Sequence, residues 1–191
     1  MSSVYLLLGG LNLALIGLLP RIFFDPRGRK NAMWWATATP FVAAGAVLGL
    51  CFAGVWQPWY LDAGAMVNET IAVPFACASI ALIAYTIGTH RVPLALWHQD
   101  NDAPSSIVTY GAYKYVRHPF YSAFLLALSG TVIACPHPAT IVCLVYTAVM
   151  LHYTATKEEH KLANSEFGDE YRSYLAHTGR FLPRLGGHAS P

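Results

Sequence analysis

Five apolar stretches, each bounded by polar or proline-rich sequence, set the framework of the chain. The first, Val4 to Phe24, is interrupted only by Asn12, Pro20 and Arg21. The second runs from Ala32 to Trp56 around Pro40, with Trp34, Trp35, Trp56, Trp59 and Tyr60 at its two ends. The third is Glu69 to Thr89, with Pro74 near its start, and the last two are Phe120 to Ala134 and Ala139 to Thr156. An α-helix rises 1.5 Å per residue, so about 20 apolar residues cross the roughly 30 Å hydrocarbon core of a bilayer. The pattern predicts an all-α, polytopic membrane protein with five transmembrane helices, with the tryptophans and tyrosine at the ends of the second span at headgroup level. The Cys135-Pro-His-Pro138 break makes the last two runs a helical hairpin. The first arm of that hairpin is short for a full span. Beyond Lys157, Phe167, Tyr171, Tyr174 and Leu175 recur at spacings of three and four, the packing face of a cytoplasmic tail helix.

Composition agrees with the pattern. Of 191 residues, 55% are hydrophobic and 12% charged, against about a quarter charged in a soluble domain. The length suits a single domain, 1–191, with three spans in 1–89 and the polar motif, hairpin and tail in 90–191. The net charge of +2 gives no footprint for nucleic acid, and no oligomeric state can be read. The placement of charge says more than its sum. All 12 Lys and Arg residues fall at 21–30, 91–117 and 157–184, and five spans put every one on the same side. The positive-inside rule makes that side cytoplasmic, with the N-terminus outside and the C-terminus inside. The loop from Gln57 to Val67 and the turn Pro136–Pro138 then lie outside. The first run follows Met1-Ser-Ser without a basic n-region or a small-residue cleavage site, so it reads as a span rather than a signal peptide. Cys51, Cys77, Cys135 and Cys143 show no metal-ligand spacing and read as small buried apolar side chains, with no disulfide framework.

The densest polar and aromatic cluster is Tyr110-Gly-Ala-Tyr-Lys-Tyr-Val-Arg-His-Pro-Phe-Tyr121. Pro119 suits the first turn of the fourth helix and pushes His118 out of the helical region. Arg117 and His118 then stand at a helix N-terminus, where free N–H groups favour an anion. A hairpin returns the chain to its starting face, so Glu158 and Glu159 are expected beside Arg117. Cation, imidazole, two carboxylates and tyrosines together suit a zwitterionic ligand.

These segments carry a resemblance. The Gly111 to Tyr121 motif, a hairpin, then Glu158-Glu-His-Lys-Leu, Phe167-Gly-Asp-Glu-Tyr-Arg-Ser-Tyr and Arg180-Phe-Leu-Pro resemble the isoprenylcysteine carboxyl methyltransferase family over about half the chain, Thr89 to Pro183. The resemblance implies an integral membrane enzyme that moves a methyl group from S-adenosylmethionine to a lipophilic or membrane-associated small molecule. It implies cofactor-site roles for Tyr113, Arg117, His118, Tyr121, Glu158 and Glu159, on the cytoplasmic side. It further implies reacting-end roles for Arg91 and Glu159. The family's glycine two residues after the motif tyrosine is here Ala123.

Other readings stand beside this one. A nicotinamide-dependent sterol-type reductase shares an Arg-His-Pro-x-Tyr segment, but its Asn and Glu are here Phe120 and Phe124. A lipid-binding membrane protein would keep the fold without catalysis. Arg91, Lys114 and Arg117 also serve as headgroup partners in the bland reading, and Trp97–Asp102 reads equally as a surface turn or as the acceptor side.

Overall fold

A computed structural model describes residues 2–18, 29–30, 32–60, 64–89 and 107–184. Arg21, Arg27, Asp62, Arg91 and the Trp97–Asp102 peptide lie outside the described residues. Among those described there are six α-helices: α1 (Ser3–Leu18), α2 (Ala32–Phe52), α3 (Gly64–Thr89), α4 (Pro119–Ala134), α5 (Pro138–Ala163) and α6 (Gly168–His177). A 3-10 turn, Gly111–Lys114, precedes α4. Among the described residues, three helices are long and apolar enough to cross a membrane, over Trp35–Phe52, Gly64–Thr89 and Pro138–Ala163. The apolar helices α1 and α4 have 16 residues each, about 24 Å of rise.

Local chemistry accounts for helix ends that differ from the hydropathy pattern. α2 stops at Phe52 although Val55 and Trp56 are apolar, because Gly54 turns the chain at φ 73°. α3 starts at Gly64, ahead of the apolar run, and absorbs two polar side chains: Asn68 donates to the Ile133 carbonyl at 2.9 Å, and Glu69 accepts the Ser2 N–H at 2.7 Å. α5 continues seven residues past Thr156 to Ala163. Lys157 to Leu162 change the polarity of the sequence without weakening its helix propensity.

The core lies where α3 and α4 meet, with α1 and α2 packed around them. Ala72, Ala76 and Ser79 on α3 are buried, as are Ala123, Ala127 and Gly130 on α4. Small side chains at these spacings let helix backbones approach closely, which is how helices associate where lipid offers no hydrophobic driving force. Ser79 donates to the Ala123 carbonyl at 2.8 Å, so with alanine at position 123 an α3 side chain still reaches the α4 backbone. Asn12, the polar break in the first apolar run, is buried against the same seam and donates to the Ala76 carbonyl at 3.5 Å. Pro40 has no N–H, which leaves the Ala36 carbonyl without its helical donor. The Tyr146 hydroxyl supplies a donor from α5 at 3.1 Å.

α4 and α5 run antiparallel, joined by 135–137. The turn is fixed by a capping box in which His137 Nδ1 accepts the Ala139 N–H at 3.1 Å and Thr140 Oγ1 accepts the His137 N–H at 3.3 Å. The Trp56 ring stacks on His137 with centroids 4.8 Å apart, and the Trp59 N–H donates to the Pro136 carbonyl at 2.7 Å.

Candidate active site

The start of α4 and the end of α5 come together, and the segment after α6 passes between them. His118 precedes the helix with φ −125° and ψ 68°, and Pro119 occupies the first turn. Ahead of it the chain turns at Gly111, whose φ of 60° and contact with the Thr89 side chain leave no room for a Cβ. The Ala112 N–H donates to Thr89 Oγ1 at 3.3 Å, which ties the motif to the end of α3. On the other side, Val116 and Gly179 form a parallel bridge. The Arg117 N–H donates to the Gly179 carbonyl at 2.8 Å and the His118 N–H to the Arg180 carbonyl at 3.1 Å. Ser122 Oγ donates to the Phe181 carbonyl at 2.7 Å. Residues 178–181 therefore form a strap laid along the Arg-His-Pro segment.

Glu159 is the hub. Its side chain is 9% exposed and meets Arg117 Nε at 2.9 Å, His118 Nε2 at 3.2 Å and Arg180 Nε at 3.1 Å, all through Oε1. Arg180 also grips Oε2, giving a two-point contact. Arg117 Nη1 donates to the Leu175 and Thr178 carbonyls, and Arg180 Nη1 to Thr156 Oγ1 at 3.0 Å. A buried carboxylate pays a desolvation cost that only good geometry and full hydrogen bonding offset. Two guanidinium groups and an imidazole provide both here. Arg117 thus directs its resolved donors to Glu159 and two backbone carbonyls.

Glu158 sits differently. Its side chain is 37% exposed. The Tyr121 hydroxyl donates to Oε1 at 2.8 Å, and Oε2 lies 3.4 Å from His118 Nδ1. The His118 and Tyr121 rings stack at 5.1 Å, with Phe181 edge-on to both. Tyr113 is buried beside them; its hydroxyl has no hydrogen-bond partner among the described residues, and its carbonyl accepts from Tyr174 Oη at 2.6 Å. Burial, with smaller contributions from Tyr174 and the charge of Glu158, pushes the Tyr113 phenol well above its ordinary value, so it stays protonated. Burial does the same to Tyr171 and Tyr174 on α6.

Tyr113, Arg117, His118, Tyr121, Glu158 and Glu159 are thus gathered in one place, Lys114 is exposed, and Arg91 lies outside the described residues. The sequence marked Arg180-Phe-Leu-Pro only as part of the resemblance and did not place Arg180 beside Glu159. The signal available was Glu159 itself, since a buried carboxylate with one arginine still has an oxygen to satisfy.

Residues 86–164, from the last turn of α3 to the end of α5, hold all six gathered residues. They match the isoprenylcysteine carboxyl methyltransferase family. Arg180 and the strap lie beyond the matched segment. The chain is also similar to a methanethiol S-methyltransferase from Pseudomonas deceptionensis, 26% identical over 174 residues, covering 80% of this chain. The chain spans 64% of the length of that relative. No solved structure matches the chain. The match to the isoprenylcysteine carboxyl methyltransferase family falls on the part of the molecule where the charged network is built, and it includes the seam between α4 and α5.

Proposed function

We propose that the protein is an integral membrane methyltransferase that uses S-adenosylmethionine to methylate a lipophilic or membrane-associated small molecule. The observation that carries this reading is the convergence of Tyr113, His118, Tyr121 and Glu158 around the locked Glu159. The residues fit the cofactor's chemistry. Tyr113 offers a buried hydroxyl without a partner among the described residues, Glu158 offers a half-exposed carboxylate for an ammonium group, and the His118–Tyr121–Phe181 cluster offers aromatic faces. S-adenosylmethionine, when bound, supplies an electrophilic methyl group on a sulfonium.

The chain's own work is alignment and exclusion of water. Methyl transfer is an in-line displacement that cancels charge, and it gains from a fixed approach angle and a dry site more than from a strong acid or base. Glu159, gripped by Arg117, His118 and Arg180, fixes the wall of the site. In this reading Arg91 and Glu159 stand toward the reacting end. The name of the bacterial relative puts a small thiol among the acceptors to try first. In this reading five spans put the basic residues on the cytoplasmic face, and the site opens at the inner membrane surface to a polar cofactor and a greasy acceptor.

Calorimetric titration of the purified protein with S-adenosylhomocysteine and with NADPH tests the reading. Saturable binding of the former and none of the latter is expected. NADPH binding would favour the reductase class, and binding of neither would leave a non-catalytic membrane protein.

A further inference from the structure

At the opposite end of the α4–α5 pair, two of the four cysteines meet. Cys51 is on the last turn of α2 and Cys135 directly follows α4. They lie 84 positions apart in sequence, yet their Sγ atoms are 2.8 Å apart. Non-bonded heavy atoms rest at roughly 3.5–4.0 Å, so these two thiols are in closer contact than packing alone requires. The backbones that carry them are fixed independently of sulfur. The Cys135 N–H donates to Thr131, and Thr140 Oγ1 donates to the Cys135 carbonyl at 2.9 Å. The segment just after Cys51 is pinned to the α4–α5 turn by the Trp56–His137 stack and the Trp59–Pro136 hydrogen bond. Cys77 is exposed on α3 and Cys143 is buried on α5; neither is brought against another cysteine.

We infer that Cys51 and Cys135 are an oxidisable pair that forms a disulfide joining the end of α2 to the α4–α5 turn. The oxidant is a disulfide of the exchange class, a small molecule such as oxidised glutathione or a protein disulfide. Cys51, which keeps a trace of exposure at 9%, attacks as thiolate and releases one thiol. Cys135 then attacks the mixed disulfide and releases the second. The Cys51–Cys135 bond forms, the oxidant's S–S bond is reduced, and the two thiol protons end on the two released thiols. This inference is independent of the proposed methyl transfer.

The test uses the full chain in detergent micelles, equilibrated in buffers of graded oxidised and reduced glutathione. Samples are acid-quenched, denatured, alkylated with N-ethylmaleimide and weighed intact, with non-reducing peptide mapping. In oxidising buffer two of the four cysteines should be alkylated and the Cys51 and Cys135 peptides should be linked, whereas in reducing buffer all four react. Melting temperature should rise by roughly 5–10 °C on oxidation, and Cys51→Ser should abolish that rise. Four reactive thiols in the most oxidising buffer would overturn the inference. So would a different pairing, or Cys51 held only as a mixed disulfide with glutathione.

Discussion

The two ends of the α4–α5 pair are held by different physics. At one end, a buried carboxylate and two guanidinium groups join α4, α5 and the strap after α6. At the other, a histidine cap, a ring stack and a thiol contact close the turn without any charge. The uncharged end works through shape and tolerates partial loss, because each contact is modest and stands alone. The charged end works as a unit: removing one partner strands the others in a place where water cannot replace it. A membrane protein gains from this division when one end must hold a polar ligand and the other must only turn the chain.

The largest expected effect comes from breaking the hub. Glu159→Ala leaves Arg117 and Arg180 facing each other without a counter-charge, and truncating one member of a buried pair costs about 3–5 kcal/mol. Thermal unfolding in detergent should show it, and a loss below about 1 kcal/mol, the scale of a surface pair, would mean that the network does not hold the strap. Arg180→Ala comes next, at about 1.5–3 kcal/mol for a lost charge-assisted hydrogen bond. The Arg180→Ala and Arg117→Ala effects should be strongly non-additive because the two arginines share Glu159. Additive losses in a double-mutant cycle would dissolve the idea of a unit. Arg117→Ala and Glu159→Gln should likewise be non-additive in affinity for S-adenosylhomocysteine.

Glu158→Gln sharpens the contrast within the charged end. It should weaken S-adenosylhomocysteine binding about tenfold or more, the scale of one charged contact, while moving the melting temperature little. Equal affinity in calorimetry would remove Glu158 from the ligand site. At the uncharged end, His137→Ala should cost only about 0.5–2 kcal/mol, as for loss of a helix cap, and leave ligand affinity untouched. An affinity change there would show that the two ends are coupled. Impermeant labelling of single cysteines sets the whole comparison in the membrane: a cysteine at position 114 should be protected from outside and one at 62 should react.

The long apolar runs of this chain made its helices legible, and a proline placed before one of them made the start of α4 legible to the residue. Contacts among the motif residues followed from two apolar arms of similar length, which return Glu158 and Glu159 to the level of Arg117. Partners that depend on tertiary approach were not legible. Arg180 lies in a polar tail where any basic residue reads as solvated, and only the fold shows that its segment pairs with Val116–His118. Cys51 and Cys135 sit in separate apolar runs, where a cysteine looks like any other small side chain. Asn12 was visible as a polar break, yet its acceptor on α3 lies 64 positions away.

The strap also sets an order of events during synthesis. Arg180 follows Glu159 by 21 residues, and a ribosome adding about 5–20 residues per second produces it roughly one to four seconds later. Glu159 is therefore made after Arg117 and His118, and Arg180 is the last member of the network to be added. The network is closed by its last-made member, so a chain cut short before Arg180 would leave this end of α4 and α5 joined through Glu159 to Arg117 and His118 alone.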